Sequence, residues 1–348
     1  MGMQSPVPAV TKAQVSRNGN TMRKASCAEE LSNSDAPYFP ASHQRYAGRS
    51  NPTSLTHILN FDALRERAAL PHSVSPRPFL RWAGSKRYLL GHIVEHLPSS
   101  FGTYFEPFLG AGSLYFLLQP SSAVLSDKCL PLVQTYEAIR DNARVVIRYM
   151  DEMRPTKSAY YKVREEQPRS RFRRAANFIY LNYTCWNGLY RVNSSGKFNV
   201  PYGRPKSKNL ADPSNLRGCA SVLGKAGVML RAGDFEESLE AVREGDLVYL
   251  DPPYVTKHNK NGFRDYNESL FHWSDQIRLA RVAAALVKRG AHVLVSNARH
   301  ADIESLYPGF ESFVINRKST LASNASFRGR AEEFLLVSKR RSAAEASG

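Results

Sequence analysis

The chain has 348 residues and a formal net charge of +17, from 48 Lys and Arg against 31 Asp and Glu, so a polyanionic partner is expected, although charge alone does not separate DNA from RNA or an acidic membrane surface. No apolar run is long enough to span a bilayer, the first residues lack the pattern of a secretory signal, and Pro6 stands where a myristoylation signal needs Ser or Thr. The four cysteines, Cys27, Cys129, Cys185 and Cys219, form no CxxC pair, so neither a metal site nor a disulfide framework is expected and a reducing cytoplasmic setting fits best.

Residues 1–75 are rich in Ser, Asn, Pro, Thr and Ala and are expected to form a disordered N-terminal extension, with a short helix at Phe61–Ala69. Glu29, Glu30 and Asp35 argue against an organelle transit peptide. Folding is expected to begin near Pro78. In "FLRWAGSKRYLL", Trp82 and Lys86 are four apart across a glycine. This is either a helix start with a core Trp or a lid over a small ligand whose carboxylate Lys86 would meet. "TYFEPF" and "AVLSD" read as short strands ending in the acids Glu106 and Asp127. Between them "FEPFLGAGSLYF" is a strand, a glycine turn and a helix, in which Gly110 and Gly112 let the backbone approach a ligand. Tyr115 occupies the third glycine position of the dinucleotide fingerprint, and no GK[ST] follows, which disfavours both dinucleotides and P-loop chemistry. Asp127 is placed to accept ribose hydroxyls or to cap a helix. "PLVQTYEAIRDN" reads as that helix.

Residues 151–225 are basic, contain Pro, Gly and Asn, and break the alternation, so they read as an insert. Its helix "RFRRAANFIYLNYT" carries Arg171, Arg173 and Arg174, which either neutralise phosphates or form a solvated face. Residues 226–339 return to the alternation. "GDF" at Gly233–Phe235 is a turn or a cofactor contact, and "GDLVYLD" and "AHVLVS" suit central parallel strands. "SDQIRLARVAAALVKRG" is a capped helix closed by Gly290. Residues 340–348 read as a flexible tail. The fold class is α/β, a doubly wound Rossmann-like sheet in two parts, 76–150 and 226–339, with a smaller inserted domain.

"LVYLDPPYVTK" ends a buried strand with an acid and two prolines. Proline cannot continue a central strand, so a rigid turn is expected at the carboxyl end of the sheet, where open α/β folds bind ligands. The turn presents the Asp251 carboxylate, carbonyls without competing N–H groups, and the face of Tyr254.

WAGSK, FEPFLGAG, the insert and DPPY, in that order, resemble the α group of the DNA adenine methylase family of N6-adenine methyltransferases, and "YLNYTCWNGLYRVNSSGKFNVPYG" (Tyr180–Gly203) resembles its DNA-reading segment. The resemblance covers about residues 78–339. It implies S-adenosylmethionine as cofactor, held by Trp82, Lys86, Phe108, Gly110, Gly112, Asp127, Asp234 and Asp251. It implies catalysis by Asp251, Pro252, Pro253 and Tyr254, with Asp251 and the Pro252 carbonyl accepting the N6 hydrogens and Tyr254 stacking on a flipped base. It implies a monomer on double-stranded DNA, contacted by Trp186, Asn187, Arg191, Asn193 and Pro201, with Arg171 and Arg174 on phosphates. Trp186 stands where an aromatic enters the base stack and Arg191 where guanine is read, with GATC the first expectation. Trp186 in place of the more usual Tyr, and the uncharacteristic Thr184 and Cys185, bear on the target rather than the reaction. "SNARHADI" is expected on the substrate side, and Arg317, Lys318, Arg328 and Arg330 on phosphates. Cytosine C5 chemistry would need a Cys after Pro, and none exists; cytosine N4 enzymes more often carry Ser at the position of Asp251. An RNA N6-adenine enzyme and a non-catalytic DNA-binding relative remain the alternatives.

Overall fold

The computed structural model describes residues 56–69, 76–205, 207, 210–255, 271–318 and 330–339. The expected disorder of 1–55 and 70–75, the tail 340–348 and the phosphate roles given to the Arg317, Lys318, Arg328 and Arg330 side chains lie outside what is described. A seven-stranded sheet forms the centre. Its strands are β3 (Tyr104–Glu106), β4 (Ser122–Asp127), β5 (Gly227–Ala232), β6 (Leu247–Leu250), β7 (His292–Ala298), β8 (Phe310–Lys318) and β9 (Arg330–Ser338), in the spatial order β5-β4-β3-β6-β7-β9-β8. The first five in that order are parallel, while β9 runs antiparallel to both β7 and β8.

Alternation along the strands sorts side chains onto two faces, because successive residues of a strand point oppositely. Tyr104, Ala123, Leu125, Leu247, Tyr249, Leu294 and Leu335 enter one buried cluster, and Phe105, Val124, Val248, Leu250, Val293, Val295, Phe334 and Leu336 enter the other. Both faces are covered, so the central strands are apolar throughout, as parallel strands require. The second face is covered by α9 (Trp273–Lys288) and α10 (Ala301–Leu306), with Phe235 and Leu239 of α8 (Phe235–Leu239). Helix α9 starts one residue before Ser274, and His272 with Asp275 forms its capping box.

The first face carries α2 (Leu90–Glu95), α3 (Ser113–Leu118), α4 (Leu130–Asp151), α5 (Lys157–Glu165), α6 (Arg171–Thr184) and α7 (Pro213–Leu223). Helix α4 is broken at Asn142, whose side chain caps Val145 N at 3.3 Å. Residues 151–225 do not own a separate core: Met153, Tyr160, Ala176, Ile179 and Leu216 belong to the same cluster as Leu114 and Tyr136. Among the described residues no helix is long and apolar enough to cross a membrane.

The expectation of disorder fails for residues 56–69. Strand β1 (His57–Ile58) pairs antiparallel with β2 (Ser100–Phe101), and α1 (Phe61–Ala69) buries Leu64. Arg67 donates to Leu117 O at 2.9 Å. Mean composition hid two leucines, Leu59 and Leu64, that reach the core. Leu64→Ala is therefore expected to cost about 2–5 kcal/mol of stability, measured by urea unfolding, and a chain lacking residues 1–70 should lose at least as much.

Candidate active site

The connections from β3 lead outward to β4 and β5, whereas β6 lies on the other side of β3. This reversal opens a crevice beyond the carboxyl ends of β3 and β6, the place where open α/β sheets bind ligands. Five strand ends and one strand start supply its walls.

Asp251 follows β6 directly. Its Oδ1 accepts from Ser296 Oγ at 2.6 Å and pairs with Lys86 Nζ at 2.9 Å. Among the described residues no donor reaches Oδ2. Burial pushes the Asp251 carboxyl above its ordinary range, and Lys86 and Ser296 oppose that rise. The Lys86 ammonium also donates to Gly84 O at 2.8 Å and lies 4.3 Å from the centre of the Tyr254 ring. Ser296 is braced from behind by the Tyr249 hydroxyl at 3.1 Å.

The two prolines are not equivalent. Pro253 O accepts from Gln276 Nε2 at 3.3 Å, and Gln276 is oriented by Asn297 at 3.0 Å. Among the described residues nothing donates to Pro252 O. Tyr254 is half-buried and donates its hydroxyl to Glu333 Oε2 at 2.9 Å, an oxygen that also accepts from Tyr88. The ring is thus held at both its face and its tip.

Across the crevice, Gly110 and Gly112 adopt φ of +46° and +65°, left-handed values that favour glycine. A Cβ on Gly110 would stand 2.9 Å from the Trp82 ring. Asp127 grips the turn: Oδ2 accepts from Gly110 N at 3.0 Å and Oδ1 from Cys129 N at 2.9 Å. Each oxygen keeps one further acceptor site. Phe108 packs on Phe235 at 5.5 Å and on Phe271 at 5.8 Å. Asp234 caps α8 through Glu236 N and pairs with Arg278 at 2.7 and 2.9 Å, which holds its carboxyl below the ordinary range. Its carboxylate therefore fixes the loop on which it sits.

Residues 185–204 form the expected hairpin. Cys185 bridges Tyr202, Val192 bridges Phe198, and Gly196 at φ +73° makes the turn. Gly188 lies instead in a short helical turn, Trp186–Gly188, where Asn187 takes φ +54°. Trp186 is 49% exposed, and its N–H donates to Pro201 O at 2.9 Å. Arg191 is exposed, with Nε on Asn199 Oδ1 at 2.8 Å. Asn193 accepts from Ser195 N and Lys197 N at 3.0 and 2.9 Å, so it shapes the turn. Arg171 pairs with Asp141 at 2.8 Å, and Arg174 donates to Pro168 O and Arg169 O. Each guanidinium thus has a partner within the chain through one of its nitrogens, and the Arg171 side chain is still 53% exposed.

The structure brings Trp82, Lys86, Gly110, Asp127, Asp251 and Tyr254 to one crevice. Sequence reasoning gave no such role to Ser296, Tyr88, Glu333 and Gln276, which hold the DPPY turn from four other elements. A strand end beside β6 was the available signal for Ser296; for Glu333 there was none, because β9 returns antiparallel.

The family model described as D12 class N6 adenine-specific DNA methyltransferase matches residues 82–321. The chain is 33% identical over 274 residues to the type II methyltransferase M1.LlaDCHI of Lactococcus lactis subsp. cremoris, covering 76% of this chain and 96% of that protein. It is 37% identical over 258 residues to the type II methyltransferase M.MjaIII of Methanocaldococcus jannaschii, covering 67% and 89%. It is 32% identical over 269 residues to the DNA adenine methylase of Escherichia coli K12, covering 76% and 95%.

Glu106 supplies a pH signature. It is buried, accepts from Tyr104 at 2.9 Å, and burial pushes its carboxyl from an ordinary 4.5 up to about 8. The folded protein then binds this proton more tightly than the unfolded chain does. The stabilisation is full below pH 4.5 and is lost as pH rises to about 8. Within that window the group removes at most about 1.4 kcal/mol per pH unit. Glu106→Gln should flatten this fall, read as unfolding midpoints against pH.

Proposed function

The chain belongs to the D12 class of N6-adenine-specific DNA methyltransferases, and from that membership we propose that it is a site-specific enzyme on duplex DNA, acting as a monomer with S-adenosylmethionine as methyl donor. The observation that carries the reading is the pair of acceptors, Asp251 Oδ2 and Pro252 O, that no donor fills among the described residues, beside the fixed ring of Tyr254. Adenine N6 is a weak nucleophile because its lone pair is delocalised into the ring. Two acceptors at one turn can each take one N6 hydrogen, which draws the nitrogen toward a tetrahedral geometry and frees the lone pair. N6 is paired in a duplex, so the base must first leave the stack, and Tyr254 offers the face on which it rests.

The residues fit the proposed cofactor. Gly110 and Gly112 make a turn with no side chain to block close approach, Trp82 closes one side, Phe108 and Phe235 form an apolar wall, and Asp127 retains acceptor capacity. When bound, S-adenosylmethionine supplies an electrophilic methyl group. The chain's own contribution is positioning: Lys86 and Ser296 turn Oδ1 inward so that Oδ2 faces the substrate. As N6 gains its new bond it must shed one proton. This reading assigns that proton to Asp251, whose carboxyl is raised by burial. In this reading Lys86 serves Asp251 rather than a ligand carboxylate.

Residues 76–150 and 226–339 form the catalytic part and residues 151–225 the recognition part in this proposal. Trp186 fills the space a flipped base leaves, with Asn187 and Pro201 supporting it, and Arg191 reads guanine in a turn shaped by Asn193. Arg171 and Arg174 meet phosphates with the N–H groups that their present partners leave over. GATC is the proposed target.

Methylation-sensitive sequencing of DNA from expressing cells tests the proposal: N6-methyladenine at one short sequence is expected, and its absence, or N4-methylcytosine instead, overturns it. Asp251→Asn, which removes the charge but keeps the shape, should lower kcat on the order of 10²–10⁴-fold with duplex affinity nearly unchanged. Arg191→Ala should cost about 1–3 kcal/mol of discrimination at one base pair, measured on duplexes varied one pair at a time; an equal loss on all of them would reject base reading by this residue.

A further inference from the structure

Tyr190 lies next to Arg191 in the hairpin, and its ring packs inward against the body of the protein. Its ring stacks on Trp82 at 5.7 Å and 23°, and packs against Phe178 at 5.3 Å and Phe198 at 5.8 Å. Its hydroxyl lies beside the Cys129 thiol. These contacts lead to one place by two routes. Trp82 lies against Gly110, so closely that a Cβ there would clash. Cys129 donates its N–H to Asp127, whose other oxygen holds Gly110 N. A residue of the recognition hairpin therefore braces both supports of the glycine turn.

We propose that Tyr190 is a positioning residue that couples base reading to the cofactor cradle. The inference rests on the functional reading above. Arg191 Nε is held by Asn199 in the free protein, which leaves its Nη groups to fork onto a guanine, so a guanine contact pulls directly on the hairpin to which that side chain is fixed. The neighbouring ring is confined between Trp82, Phe178 and Phe198, and packed interiors shift between discrete arrangements rather than yielding continuously. A shift of the hairpin then reaches Gly110 through the stack and through Cys129 together. Coupling of this kind is reciprocal: the correct duplex tightens the cradle, and a filled cradle favours the correct duplex by the same factor.

The test measures the Kd of S-adenosylhomocysteine for the free protein, for its complex with a GATC duplex (or the site that sequencing returns), and for a duplex with the guanine pair exchanged. The wild type should bind at least about fivefold more tightly on the correct duplex than free, with little gain on the exchanged one. Tyr190→Leu, which keeps apolar volume but neither stack nor hydroxyl, should bring the ratio close to one; Tyr190→Phe should keep most of it. A role in folding alone would weaken binding throughout without changing the ratio. An unchanged ratio in Tyr190→Leu, or a wild-type ratio of one, overturns the proposal. If Tyr190→Leu does not fold, hydrogen exchange in the wild type decides: exchange over residues 108–112 should slow with the correct duplex alone and not with the exchanged one, and equal exchange overturns the proposal. Failure to bind S-adenosylhomocysteine at all, or to form N6-methyladenine, would instead overturn the functional reading.

Discussion

The Lys86 side chain is 6% exposed, and an ammonium so far from water must be compensated within the protein or lose its charge. Gly84 O, Asp251 Oδ1 and the face of Tyr254 supply that compensation from two stretches of chain far apart in sequence. The charge therefore draws the segment before α2 onto the end of β6. With that segment in place, Trp82 closes over Gly110 and the hairpin finds its stacking partner. The same ammonium also opposes the rise in the Asp251 pKa. Removing it would leave a buried carboxylate without its cation, a costlier change than the loss of the pair as a whole.

The charge distribution is inverted between surface and centre. The chain is basic overall at +17, yet Glu106, Asp127, Asp251 and Glu333 gather around the crevice. Their mutual repulsion raises Glu106 and Asp251 in addition to burial. The basic exterior attracts a polyanion at long range, while the carboxyl groups of the crevice serve as hydrogen-bond acceptors close to the Lys86 ammonium.

What could be read from the sequence was what is local. The strands around Val248 and Val293, the glycine turn and the rigid end of β6 follow from apolar runs, Gly and Pro, which act on their immediate neighbours. Helix α1 was legible as a helix but not as part of the fold, since its burial depends on contact with the distant Leu117 segment. The roles of Ser296, Glu333 and Tyr190 were invisible for the same reason: each side chain meets its partner only after the sheet and hairpin are assembled. Asp127 and Asp234 show the opposite difficulty. An acid at a strand end reads equally as ligand contact or backbone cap. Here Asp234 caps α8 and is further committed to Arg278, whereas Asp127 ties Gly110 N and Cys129 N together without capping α4.

The pairing of β3 with β6 has a consequence for how the chain reaches this structure. Thr103 N meets Asp246 Oδ1 at 2.7 Å across 143 residues, at the very entry to the paired strands. Closing so long a loop is entropically costly, and topologies dominated by such contacts fold slowly. Helices α4–α7 lie within that interval and pack on one another, so their early association would shorten the effective loop. Until it closes, β3 and β6 each present an unpaired apolar edge, the kind of surface on which folding chains aggregate. The crevice exists only once β3 and β6 have paired, so its walls are brought together by a contact that spans 143 residues of chain.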